Sequence, residues 1–228
     1  MQNVHVGFLL YPGLTQLDLT GPAQVLARMP GAVLHFVAKT LDPVPTDCPL
    51  ALMPTETFET CPDLDILCVP GGYACTDVMA DEEALAWVRR QGGGARYVTS
   101  VCTGSLILAA AGLLDGYRAA SHWAWRDMLA LFGAQPVAER VVVDRNRITG
   151  GGVTAGIDFA FRLVEEMRGS MTAEAIQLGL EYDPQPRSDG GAPERARPEV
   201  KAFVESLMAD RLDGRRDTIR AIAAARAA

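Results

Sequence analysis

The chain has little excess basic charge. Its 228 residues hold 21 Lys and Arg against 28 Asp and Glu, a formal net charge of −7. That balance argues against a broad basic face for nucleic acid. Histidine is scarce too. His5, His35 and His122 are too few and too scattered to suggest a metal cluster. The five cysteines (Cys48, Cys61, Cys68, Cys75 and Cys102) are odd in number and lack paired short spacings. A disulfide framework or a zinc site is not expected, and a reducing cytoplasm fits best. No apolar run approaches the length of a membrane span. The opening segment, Met1 to Pro12, has no basic leader and only a short apolar stretch. It reads as a first strand rather than a signal peptide.

What the chain does have is a sizeable hydrophobic fraction, 49%, enough for one large domain with a real core. Val4 to Leu10 is nearly continuous in apolar residues, as a strand buried on both faces requires. Further strands are expected at Ala32–Lys39, Leu64–Val69 and Arg96–Val101. Helices are expected near Leu17–Arg28, at Asp81–Gln91 and from Ser105. Pro22 is tolerable only near a helix start, so the first regular helix is expected to begin close to Gly21. Pro43, Pro45 and Pro49 mark an irregular stretch with room for an edge hairpin. Arg140–Asp144 and Arg147–Thr149 flank a hairpin turn at Arg145-Asn146. Further helices are expected at Trp123–Leu131, Ile157–Met167 and Thr172–Tyr182. Alternating strands and helices give an α/β fold with a mainly parallel central sheet. Residues 183–198 hold four prolines and no large apolar side chain, and read as an exposed loop. Helices at Glu199–Arg211 and Arg215–Ala225 should then pack on the core or on a dimer partner, because Phe203, Leu207, Ile219 and Ile222 need cover.

The chemistry gathers on one corner. Around Cys102 a β-branched strand turns abruptly into an Ala- and Leu-rich helix, with Ser100 two residues before and Gly104 two after. This is the spacing of a nucleophile elbow with a thiol in place of the hydroxyl. The helix N-terminus is expected to favour the thiolate and lower the thiol pKa. The competing reading is a buried core cysteine. Asp18 lies between leucines where the first strand gives way to a helix. It suits either a helix cap or a carboxylate held near the thiol. Gly71 and Gly72 end the third strand, either as a plain turn or as a source of N–H groups for an anion. Gly150 to Gly156 does not match a dinucleotide fingerprint and reads as backbone packed close to the site.

On the Cys102 elbow, with Gln16-Leu17-Asp18-Leu19-Thr20-Gly21-Pro22, Pro70-Gly71-Gly72, Arg96–Ser105 and Gly150–Phe159, the chain resembles the DJ-1/PfpI superfamily. Within that superfamily it is most similar to isocyanide hydratases. The resemblance runs over nearly the whole chain. It implies one flavodoxin-like three-layer domain over residues 1–228, and hydration of an isocyanide to an N-substituted formamide. It further implies Cys102 as nucleophile, Asp18 as its acid/base partner and Thr103 as the third residue needed for activity. Gly71, Gly72, Val153 and His122 are implied as substrate-binding or oxyanion residues, with His122 at least as much a structural neighbour. The implied chemistry calls for no metal or organic cofactor, and the implied assembly is a homodimer. Thr103 departs from protease-like members, which often carry histidine after the cysteine. Thr15-Gln16-Leu17-Asp18 lacks the glutamate of DJ-1-like members. The competing resemblance is to the sensor domains of AraC-type regulators, which share Cys-Thr-Gly and Gly-Leu-Leu-Asp-Gly. Only 30 residues follow Pro198, too few for their two-motif DNA-binding region.

Overall fold

The computed structural model describes residues 3–227. In chain order the elements are β1 (Val4–Leu9), α1 (Gln16–Leu26), β2 (Ala32–Ala38), β3 (Val44–Pro45), β4 (Ala51–Leu52), β5 (Glu56–Thr57) and β6 (Ile66–Val69). There follow α2 (Cys75–Met79), α3 (Glu82–Gly94), β7 (Tyr97–Val101), α4 (Gly104–Ala110), β8 (Arg118–Ala119) and a 3-10 segment at Arg126–Phe132. The chain continues through β9 (Gln135–Pro136), β10 (Val141–Asp144), β11 (Arg147–Gly150), α5 (Ala155–Arg168), α6 (Ser170–Gly179) and α7 (Pro198–Ala227).

Seven strands form one sheet in the order β10-β11-β7-β6-β1-β2-β5. Every neighbouring pair is parallel except β10 with β11, which forms the expected hairpin at one edge. The central strands are apolar on both faces because both faces are covered. Val6 and Phe8 of β1 and Ile66 and Leu67 of β6 have no solvent exposure. Helices α1 and α5 pack together on one face, while α2, α3 and α4 pack together on the other, with α7 against α2. The result is a three-layer α/β sandwich. From β1 the chain moves outward to β2, then returns to the other side of β1 for β6. The carboxyl ends of β1 and β6 therefore flank a topological switch point, the crevice where open α/β sheets bind ligands.

Three helix expectations need correction. Helix α1 begins at Gln16, not near Gly21, and carries Pro22 in its interior. Proline removes the N–H that would bond the Asp18 carbonyl. Helix packing offsets this loss, because Pro22 is buried with Gly156 of α5 closely opposed to its ring. Asp18 thus sits in the first turn of a real helix. The segment expected as a helix over Trp123–Leu131 is 3-10 and starts only at Arg126. The two tail helices are one continuous α7. Gly214 lies inside it facing open space, a tolerated cost of about 1 kcal/mol. Among the described residues, no helix is long and apolar enough to cross a membrane.

Candidate active site

The corner at Cys102 is strained and heavily tied. Cys102 has φ 55°, in the left-handed region that a β-carbon disfavours. Its N–H donates to Gly151 O at 2.8 Å and Gly150 O at 3.2 Å. Its carbonyl accepts from the hydroxyls of Ser105 and Ser121, each at 3.0 Å. Four hydrogen bonds thus hold one residue in a conformation that costs on the order of 1–3 kcal/mol. Gly104 lets the turn close, because a β-carbon there would run into the Val69 and Pro70 carbonyls.

Asp18 comes from the first turn of α1, after β1, and is 1% exposed. Its Oδ2 accepts the Gly71 N–H at 2.9 Å. No donor among the described residues reaches Oδ1. Burial pushes the carboxyl up to about 8. The Gly71 hydrogen bond and the Cys102 thiol oppose that rise, and the charge of Asp47 adds to it. Asp18 therefore retains its proton over most of the neutral range, as a general acid must.

Thr103 does not cap its helix; its side chain clamps the loop after β6. The hydroxyl accepts the Gly72 N–H and donates to the Gly72 carbonyl, both at 2.9 Å. These two hydrogen bonds fix Gly72, the residue next to the Gly71 N–H that Asp18 accepts. The fit leaves no room for a side chain. A β-carbon on Gly71 would lie 2.5 Å from Thr103 N, 2.7 Å from its Oγ1 and 2.9 Å from Asp18 Oδ2. Gly72 adopts φ +149°, with its open side against Gly13 O. Asp18, Gly71-Gly72 and Cys102-Thr103 thus meet at the carboxyl ends of β1, β6 and β7.

The thiol differs from expectation. Burial and then the neighbouring Asp18 carboxylate push Cys102 well above the ordinary thiol range. The Thr103 N–H lowers it, as a helix N-terminus should, but does not prevail. A carboxylate and a thiolate in one dry pocket disfavour each other, so the resting pair holds its protons.

His122 lies against the glycine run, near Gly152. Its Nδ1 accepts the Ala124 N–H at 3.3 Å, and burial lowers it to about 4, so it is neutral and serves its own loop. Val153 is half-buried against the core just before α5. Three neighbours had no signal in the sequence. Ser121 bonds the Cys102 carbonyl. Tyr11 donates to Pro70 O at 3.0 Å. Cys75, pushed up to about 11 chiefly by burial, meets the Thr103 hydroxyl. All three contacts are long-range, and a single sequence carries no trace of them. A cleft of about 480 Å³, lined among others by Tyr11, Ala38, Lys39, Ala74, Asp77 and Asp81, lies beside this site without including Cys102. No group of His, Cys, Asp or Glu among the described residues is placed to hold a metal.

Comparison with known proteins gives the family. The DJ-1/PfpI family model matches residues 4–166. The chain belongs to the DJ-1/PfpI family. Among its DJ-1/PfpI relatives, the isonitrile hydratase of Pseudomonas putida is 55% identical over 193 residues, covering 85% of each chain. A solved THiJ/PfpI family protein from Pseudomonas syringae superimposes with a TM-score of 0.92 at 47% identity, over 98% of this chain and 91% of that one. The HTH-type transcriptional regulator GbdR of Pseudomonas aeruginosa is 30% identical over 186 residues, but this DJ-1/PfpI chain spans only 50% of its length. Residues 198–227 form one unbroken helix rather than helix-turn-helix motifs.

Proposed function

We propose that the chain is an isocyanide hydratase, converting R–N≡C and water to the formamide R–NH–CHO. The observation that carries this reading is the buried, proton-holding Asp18 beside the Cys102 thiol, in a chain 55% identical to the isonitrile hydratase of P. putida. A terminal isocyanide carbon accepts both a proton and a nucleophile. Asp18 gives its proton to that carbon while the sulfur adds, and takes up the thiol proton. The S–H bond breaks, a C–S and a C–H bond form, and the product is the thioimidate R–N=CH–S–Cys102. Water then adds at the same carbon. Asp18 protonates the nitrogen and receives a proton from the water. Collapse breaks the C–S and O–H bonds: Asp18 gives its proton to the departing sulfur and takes up the hydroxyl proton, and the C–O bond becomes the formamide carbonyl, which restores both starting groups. Oδ2 is fixed by Gly71, which leaves Oδ1 to face the reacting carbon.

Thr103 serves this reaction by holding Gly71 against Asp18. Gly72, Val153 and His122 line the substrate side as neutral or apolar surroundings for an uncharged substrate. The chain works as one unit over residues 1–228 and as a homodimer. Support for the dimer comes from Met171 and Leu178 on α6 and Phe203 and Leu207 on α7, apolar side chains left in solvent. Five unpaired cysteines fit a cytoplasmic location. Incubation with cyclohexyl isocyanide tests the function. N-cyclohexylformamide should accumulate catalytically, and its absence with folded protein refutes the reading. Light scattering tests the dimer, and a monomeric mass would refute it.

A further inference from the structure

Helix α7 lies outside the sheet, yet its arginines reach back to the two loops that flank Cys102 and Asp18. Arg215 Nε donates to the Tyr73 carbonyl at 2.7 Å, with its guanidinium 5.8 Å from the Tyr73 ring. Arg216 Nη1 donates to the Ala124 carbonyl at 2.9 Å and pairs with Asp127. One turn further, Ile219 is fully buried and seats the helix. Arg226 bonds the carbonyls of Ala109 and Ala110, at the end of the helix that starts from the elbow.

These carbonyls are not arbitrary. Tyr73 follows Gly71-Gly72, whose N–H groups hold Asp18 and Thr103. Ala124 belongs to the loop in which Ser121 bonds the Cys102 carbonyl and His122 packs on the glycine run. The two loops touch each other where the Tyr73 and Trp125 rings meet edge to face at 6.4 Å. Both carbonyls lie in irregular backbone, where no ladder supplies a donor. A guanidinium makes a charge-assisted bond there with fixed direction, which an ammonium does less well.

We propose that Arg215 and Arg216 are positioning residues. They hold the Tyr73 and Ala124 carbonyls, and so keep the Gly71 N–H on Asp18 and the Ser121 hydroxyl on the Cys102 carbonyl. Neither arginine touches the reacting atoms. The inference rests on the isocyanide hydratase reading for its turnover readout, but not for its second readout, Cys102 alkylation.

The test uses the full chain carrying Arg215→Gln or Arg216→Gln. It measures melting temperature, kcat and KM for cyclohexyl isocyanide against pH, and the pH dependence of iodoacetamide labelling at Cys102, resolved from the other cysteines by peptide mass spectrometry. For Arg215→Gln, kcat should fall about tenfold or more while KM stays within about threefold, as expected for a misplaced catalytic group. The alkaline limb of the rate should move to higher pH, because a slackened Gly71 N–H no longer favours the Asp18 carboxylate. The labelling midpoint should shift, and Arg215→Lys should restore part of the rate. Arg216→Gln should change kcat and labelling in the same way, to a smaller extent. A folded Arg215→Gln protein with wild-type kcat and an unchanged labelling profile overturns the proposal. So does a rate loss that merely tracks the folded fraction. Should Arg215→Gln fail to fold, the same measurements on Arg215→Lys decide, since lysine keeps the cation but not the directed fork. If the wild type turns over no isocyanide, the functional reading falls, and the labelling profile alone judges the arginines.

Discussion

Replacing Asp18 by asparagine should stabilise the protein relative to the wild type by a margin that grows as the pH rises. In an unfolded chain the carboxyl titrates near 3.8, and burial holds it at about 8 in the folded protein. A raised acid binds its proton more tightly when folded. Its contribution is therefore fully present below pH about 4 and is lost as pH climbs toward 8. Each unit of that window is worth about 1.4 kcal/mol, so between pH 5 and pH 8 the wild type should lose about 3–4 kcal/mol that the variant keeps. Asparagine fits the site, because its carbonyl can still accept the Gly71 N–H and its amide takes the place of the unpartnered Oδ1. Below pH about 4, where the carboxyl is neutral in both states, the two proteins should agree within about 1 kcal/mol as near-isosteres, and at pH 5 the variant should already lead by a further ~1.6 kcal/mol. Urea unfolding of both at pH 5, 6, 7 and 8 reads the difference directly, since every other titrating group is shared. The variant should also be inactive, having no proton to relay. A stability gap that stays flat with pH, or that narrows as pH rises, would refute the buried-acid reasoning.

Two further substitutions test the frame. Thr103→Val removes the hydroxyl that satisfies both the N–H and the C=O of Gly72, two buried backbone groups. It should cost about 2–4 kcal/mol by thermal or chemical unfolding and abolish turnover. Gly104→Ala drives a β-carbon into the Val69 and Pro70 carbonyls. It should destabilise the fold by about 3 kcal/mol or more, whereas Gly94→Ala, facing open space, should be tolerated in the same assay.

Much of this site is legible in the chain because it depends on local chemistry. Ser100-x-Cys102-x-Gly104 marks a corner that needs small neighbours, and the structure shows the carbonyls that forbid a side chain at Gly104. The apolar strands announce a parallel sheet because both faces are buried. Its strand order then brings Asp18, Gly71 and Cys102 to one edge. What the chain conceals depends on distant partners. Pro22 marks a helix boundary by local rules, yet α1 runs through it because α5 packs against the proline. The elbow suggests an acidic thiol, but enclosure and Asp18 reverse the direction, and enclosure is a property of the whole fold. The tail reads as two helices, 199–211 and 215–225, but the buried Met208 and Ile219 on either side of the gap seat one continuous helix.

The central claim is that the Cys102 sulfur adds to the isocyanide carbon. Acid quenching of protein mixed with excess cyclohexyl isocyanide, followed by peptide mass spectrometry, tests it most directly. The Cys102 peptide should gain the mass of one whole isocyanide molecule, and Cys102→Ala should show neither adduct nor formamide. Formamide production by Cys102→Ala at the wild-type rate would contradict it.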